Sequence, residues 1–199
     1  MTHFLRHFAS ASTAGAHFHF TGRPGSGKTV ALQQLVTESL LDGTRVTVAS
    51  PTFPAEFDFA RPWANVNRDA SLQSVLALLT GQWAYTRDGI SPNLIVLDGI
   101  DYIAQNAEPK TSAKIIEAVR RLSEHENVTL AIASQQNPVD TLRAMGLTTP
   151  NVFAFAFDGD QGRFEGEFTN ADKTFTDRFV VPPLTAADHQ ERLDFIFGD

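Results

Sequence analysis

The chain has 199 residues, 42% of them hydrophobic, a formal net charge of −7 and no cysteine. That length suits one domain with a substantial core. The absent cysteines exclude disulfides, thiolate metal sites and thiol nucleophiles, and the acidic balance argues against a surface coated with basic residues for nucleic acid.

Residues 2–12 read as a short peripheral helix ahead of the first strand, His17–Thr21, which alternates His with Phe and Thr. Apolar residues then recur at helical spacing over Val30–Val36, and Asp42-Gly43 stops that helix. Thr44–Ser50 reads as a second strand. A helix over Ser71–Thr86 puts Leu72, Val75, Leu76 and Leu79 on one face. Leu94–Leu97 and Val128–Ser134 are continuous apolar runs, as strands buried on both faces require. Between them, Thr111–His125 is a helix with Ile115, Ile116, Val119 and Leu122 inward. Val152–Phe157 and Arg163–Thr169 read as antiparallel strands joined near Gly159, and Thr185–Phe197 as a final helix. Such alternation predicts a three-layer α/β domain with a mainly parallel sheet and C-terminal antiparallel strands. We divide it into a peripheral segment over 1–15, a core over 16–157, and C-terminal strands and helix over 158–199. No apolar run approaches the roughly 20 residues needed to cross a bilayer, and Met1–His19 has no apolar core of a signal peptide; a soluble cytoplasmic protein is the expectation.

The chemistry is concentrated at strand ends. Gly22-Arg23-Pro24-Gly25-Ser26-Gly27-Lys28-Thr29 is a complete G-x-x-x-x-G-K-[ST] phosphate-binding loop, set between a strand and a helix that opens near Val30. Its glycines let successive N–H groups point at phosphate oxygens. Lys28 is placed to reach the β- and γ-phosphates, and Thr29 to bind Mg²⁺. The run Leu94–Leu97 delivers Asp98 to the same sheet end, where a carboxylate orients the metal against Thr29. ATP and Mg²⁺ are therefore the expected cofactors. His17 and His19 share one strand face but have no evident third metal ligand. Phe53, Phe57, Phe59 and Trp63 read as core or subunit-interface residues. With Arg61 and Arg68 near them, base stacking is the alternative.

Beyond the loop, Ala133-Ser134-Gln135-Gln136-Asn137-Pro138-Val139-Asp140 resembles the A-T-Q-R-P-x-V-D segment of FtsK/HerA-type DNA-pumping ATPases. Thr149-Pro150-Asn151-Val152-Phe153-Ala154-Phe155 resembles the segment that follows it. Ser50-Pro51 with Glu56 beyond is similar to the family's D-P-K-x-x-E-L region, and Gln82-Trp83-Ala84-Tyr85-Thr86-Arg87 to the end of its helix before Asp98. The resemblance covers roughly residues 17–157. It implies a RecA-like ATPase, DNA-stimulated, working on double-stranded DNA as a hexameric ring. A portal, membrane or capsid would be its partner if it packages or transfers genomes, and the chain's brevity is similar to that of minimal viral packaging ATPases, which would place it in a viral particle.

It also implies roles. Gln135 would face the γ-phosphate. Glu56 follows the strand where some RecA-type ATPases place their base. Asp101 is the other candidate, because Gly99 stands where many such motors carry Glu. Gln136 stands where the family has Arg. Arg143, Arg163 and Arg178 are candidates for the arginine given to a neighbour's site. Other RecA-like motors (helicase loaders, secretion motors), a small-molecule or nucleotide kinase without its Arg-rich lid, and a slow nucleotide switch are the alternatives.

Overall fold

Strand β1 (His17–Gly22) is buried from His17 to Thr21, and its period of two divides its side chains between two cores. Phe18 and Phe20 enter the first core. His17 and His19 point the other way, toward the side occupied by Leu130 and Ile132. The computed structural model describes residues 16–67, 69–86, 93–135, 152–159, 164–170 and 172–198. The expected helix over 2–12 lies outside these residues.

The other strands are β2 (Arg45–Ala49), β3 (Asn65–Val66), β4 (Asn93–Asp98), β5 (Val128–Ser134), β6 (Val152–Phe157), β7 (Phe164–Thr169) and β8 (Thr176–Val181). They form one eight-stranded sheet in the order β3-β2-β4-β5-β1-β6-β7-β8. Pairing is parallel from β3 to β6, and β7 and β8 join antiparallel. The expected mainly parallel α/β sheet with antiparallel strands at its C-terminal end is therefore present.

Parallel strands need crossovers, and helices supply them. Helix α1 (Lys28–Leu41) follows the loop, and α5 (Ala186–Phe197) packs beside it over the first core. Helices α2 (Leu72–Thr86), α3 (Ile100–Asn106) and α4 (Pro109–Ser123) lie on the opposite face. There Val75, Leu79, Ile115, Val119 and Leu122 are all buried, as their spacing requires. Pro109 sits at the first helical position of α4, where its missing N–H costs nothing, so that helix starts and ends two residues before the expected Thr111–His125. A capping box fixes the start of α5: Asp188 N–H donates to Thr185 Oγ1, and Thr185 N–H donates to Asp188 Oδ2 at 2.7 Å.

Four elements escape the sequence reading. The 3₁₀ helix Pro54–Ala60, the two-residue β3 and α3 are too short to show a period. Strand β8 is an edge strand with polar Thr176, Asp177 and Arg178, so its apolar signal reduces to the three residues Phe179-Val180-Val181. The phenylalanine excess has a structural use. Phe20 stacks on Phe155 at 5.0 Å, and Phe155 meets Phe179 edge-on at 5.5 Å, which joins the parallel and antiparallel parts of the sheet through one aromatic core. Phe57 and Phe59 belong to the same core and are closed to a nucleic acid base.

Candidate functional site

The C-terminal ends of β1, β4 and β5 are neighbours in the sheet, and each delivers part of one site. Gly25 and Gly27 adopt φ of 77° and 103°, values that side chains resist, and the chain curls between them into the start of α1. Ser26 lies inside this curl, and its Oγ is buried with no hydrogen-bond partner among the described residues. Lys28 Nζ donates to the carbonyls of Gly22 at 2.7 Å and Arg23 at 2.9 Å, which lays its ammonium across the loop. Burial lowers the Lys28 pKa, while Asp98 and Asp101 act to raise it. Arg23, Pro24 and Gly25 form the exposed crown of the loop, and Val30 packs one turn into α1 against the first core.

Thr29 Oγ1 donates to Asp98 Oδ2 at 3.1 Å. Asp98 ends β4 and is buried, and burial pushes its carboxyl up to about 6; nearby Glu56 adds to the rise, whereas the Thr29 hydroxyl and Lys28 oppose it. A hydroxyl and a carboxylate this close form a hard-oxygen pair. Mg²⁺ accepts one or two protein oxygens and fills its remaining positions with phosphate and water. Thr29 and Asp98 fit that demand, and the positive-φ loop with Lys28 fits a polyphosphate.

The two candidate bases have different surroundings. Asp101, in the first turn of α3, is buried, and its Oδ2 accepts the backbone N–H of Gln135. It thereby ties α3 to the end of β5. Glu56 is exposed on the 3₁₀ helix. Gln33 of α1 donates to the Glu56 carbonyl at 2.7 Å and to its Oε2 at 3.4 Å. The segment before it is pinned by Asn67, whose side chain bonds both the N–H (2.8 Å) and the C=O (2.9 Å) of Ser50. Gln135 itself is exposed, one residue beyond Ser134.

Gly99 has a local reason. It holds φ of 85°, and a Cβ there would stand 2.7 Å from Thr52 Oγ1. A glutamate at this position would strain the backbone and push the Thr52 hydroxyl aside. Gln33, Asn67 and Thr52 were missed because nothing in their local pattern marks them; only the fold brings them beside the loop.

Gln136, Arg143 and Arg163 lie outside the described residues. Arg178 is exposed on β8 and forms no ion pair among the described residues. His17 and His19 are core residues. His17 Nδ1 accepts the Leu130 N–H at 3.2 Å, and His19 Nε2 shares a hydrogen bond of 2.9 Å with Ser134 Oγ. No group of three metal-ligating side chains occurs among the described residues.

No protein-family model and no curated protein matches the sequence. Solved structures do. The chain is similar to the pCW3 conjugation coupling protein TcpA in its monomer form with ATPγS, with a TM-score of 0.68 and 13% identity over 92% of this chain and 65% of that one. It is also similar to the cytoplasmic domain of the type VII secretion ATPase EccC of Thermomonospora curvata, with a TM-score of 0.54 and 14% identity over 84% of this chain and 23% of that one. The chain thus spans about two thirds of the length of TcpA and about a quarter of that of EccC. At these identities the likeness shows the fold alone, a mainly parallel RecA-like α/β sheet with antiparallel strands at one end. No helix among the described residues is long and apolar enough to cross a membrane.

Proposed function

We propose that this chain is the ATPase subunit of a ring-shaped motor that translocates DNA. The observation that carries the hydrolase reading is the Thr29–Asp98 pair, set 3.1 Å apart beside Lys28 at the mouth of the phosphate loop. Bound Mg²⁺ would withdraw charge from the terminal phosphates and so ease their departure. Thr29 and Asp98 hold that ion, Lys28 exchanges its loop carbonyls for phosphate oxygens, and the loop N–H groups stabilise the charge that develops. Because Asp101 is buried and accepts the Gln135 N–H, the exposed Glu56, held by a long 3.4 Å bond from Gln33, is the carboxylate we assign to orient the attacking water. Asp101 accepts the Gln135 backbone N–H, and from that strand end the Gln135 amide would reach the γ-phosphate.

The DNA substrate is supported by the ordered FtsK/HerA-like segments and by the fold shared with a conjugation coupling protein. A homo-hexameric ring with an arginine supplied across the interface, and a portal, capsid or membrane-bound partner for genome packaging or transfer, belong to the same proposal. The fold shared with a secretion ATPase favours a second reading, in which the cargo is a polypeptide.

The test is ATP turnover with no DNA, single-stranded DNA and double-stranded DNA, on wild type and Lys28→Ala, with sizing in ATP. We expect turnover stimulated most by double-stranded DNA, a ring-sized species, and no activity in Lys28→Ala. Turnover indifferent to DNA would move the reading to the secretion-type motor. Phosphate transfer to a nucleoside by a monomer would end the motor reading altogether.

A further inference from the structure

The phosphate loop leans on the β6–β7 hairpin at two of its glycines. A Cβ on Gly22 would stand 2.5 Å from the Phe157 carbonyl oxygen, and a Cβ on Gly27 would stand 2.6 Å from both Cγ and Cδ1 of Phe164. The Phe164 ring therefore rests on the last glycine of the loop, immediately before Lys28. It packs on the edge of the first core and is only half-buried. The other inward phenylalanines of β6–β8 (Phe153, Phe155, Phe157, Phe168 and Phe179) each meet another ring within 6.1 Å. Among the described residues Phe164 meets none, so an aromatic ring with free surface is held at the edge of the loop.

The flank it occupies has a chemical meaning. Asp98 and Asp101 come from β4 and the helix after it, and Gln135 from the end of β5. The sheet order puts those strands on one side of β1 and the β6–β7 hairpin on the other. A polyphosphate whose terminal group lies at Lys28, Thr29 and Asp98 directs its opposite end away from the carboxylates, toward the hairpin. That end carries the sugar and base of a nucleotide. An apolar, half-exposed ring suits the flat face of a base and offers nothing to a phosphate.

We infer that Phe164 is the platform on which the nucleobase stacks, so that the site takes a purine nucleoside polyphosphate in preference to a pyrimidine one. This rests on the nucleotide-site reading above. Phe164 touches the base and not the reacting phosphates; its role is to set affinity and base preference.

The deciding experiment is calorimetric titration of wild type, Phe164→Ala and Phe164→Tyr with Mg²⁺ and either ADP, UDP or pyrophosphate. Pyrophosphate occupies the loop alone and reports its integrity. We expect Phe164→Ala to bind ADP about tenfold more weakly, to lose the preference for ADP over UDP, and to bind pyrophosphate as wild type does; Phe164→Tyr keeps the wild-type pattern. Equal losses for ADP and pyrophosphate would overturn the inference, because the ring would then only shape the loop. An unchanged ADP affinity, or a wild type that binds ADP no better than pyrophosphate, would overturn it as well. A wild type that binds none of the three sinks the nucleotide-site reading itself. Should Phe164→Ala fail to fold, Phe164→Trp decides the matter: its emission must change with ADP and not with pyrophosphate.

Discussion

The two flanks of the phosphate loop are built from opposite materials. On the β4–β5 flank, buried polar groups converge on it: Asp98, Asp101, Ser134 and, from beneath, His19. On the β6–β7 flank there are rings and backbone, with Phe157 and Phe164 pressed to Gly22 and Gly27. The first flank stores electrostatic tension, since Asp98 and Lys28 are both displaced by burial from their ordinary pKa values. The second is a stacked aromatic floor that stabilises the fold and meets the loop through rings and backbone. Chemistry that needs a metal and an activated water belongs to the tense flank, and recognition of a flat apolar group to the relaxed one.

The largest effect that would break this contrast lies in the choice of base. If Glu56 orients the water, Glu56→Gln lowers kcat about a hundredfold or more and leaves ADP affinity unchanged. Asp101→Asn keeps an oxygen for the Gln135 N–H and should cost about tenfold, an estimate that rests on the smaller penalty of a weakened charge-assisted hydrogen bond. Single-turnover rates at saturating ATP measure both. The reverse ranking would make Asp101 the base and its bond to Gln135 incidental.

Next comes the tension at Asp98. Its carboxyl is raised to about 6 in the folded chain, so its contribution to stability is full at low pH and is lost as pH rises through that value. At pH 8 the nucleotide-free protein therefore carries an ionised, buried carboxylate. Asp98→Asn removes that charge and should raise nucleotide-free stability by about 2 kcal/mol at pH 8, an advantage that disappears near pH 4. The same variant should lose Mg²⁺-dependent nucleotide binding. Urea unfolding at the two pH values reads the first effect. A variant less stable than wild type at pH 8 would show that Asp98 is satisfied in place and that the flank is not tense.

Much of this was legible in the sequence where local pattern and fold agree. The spacing of Gly22 to Thr29, the apolar run ending in Asp98 and the run ending at Ser134 each declare a strand end, and a parallel sheet gathers strand ends on one edge. What was not legible depends on distant approach. Gln33 reaches Glu56 because α1 packs beside the 3₁₀ helix. Phe164 reaches Gly27 because β7 returns antiparallel alongside β6. Gly99 looks like a missing glutamate until Thr52 is seen within 2.7 Å of its would-be Cβ. Each of these is a contact across at least 23 residues of chain that no short window can register, the shortest being Gln33 to Glu56.

The smallest effect separates the flanks by their response to acid. His19 lies under the polar flank, wholly buried, and burial lowers its pKa to about 4. The unfolded imidazole takes up a proton near its ordinary value of 6.5, whereas the folded one stays neutral. Stability is thus full above about pH 6.5 and falls as pH drops toward 4, because the unfolded chain binds the extra proton. Asp98 works in the opposite sense over most of that window, from about pH 6 downward, so wild type alone shows only the difference. The double variant His19→Leu with Ser134→Ala isolates the imidazole. It removes both partners of one buried hydrogen bond, which is nearly neutral at pH 8, within about 1 kcal/mol. At pH 5 it should be more stable than wild type by about 2 kcal/mol, the penalty for 1.5 pH units below the ordinary histidine value. Urea midpoints at pH 5 and pH 8 measure the change. An equal difference at both pH values would mean that His19 is protonated in the fold at pH 5, with its Nδ1, which has no partner among the described residues, donating to a group that balances the charge.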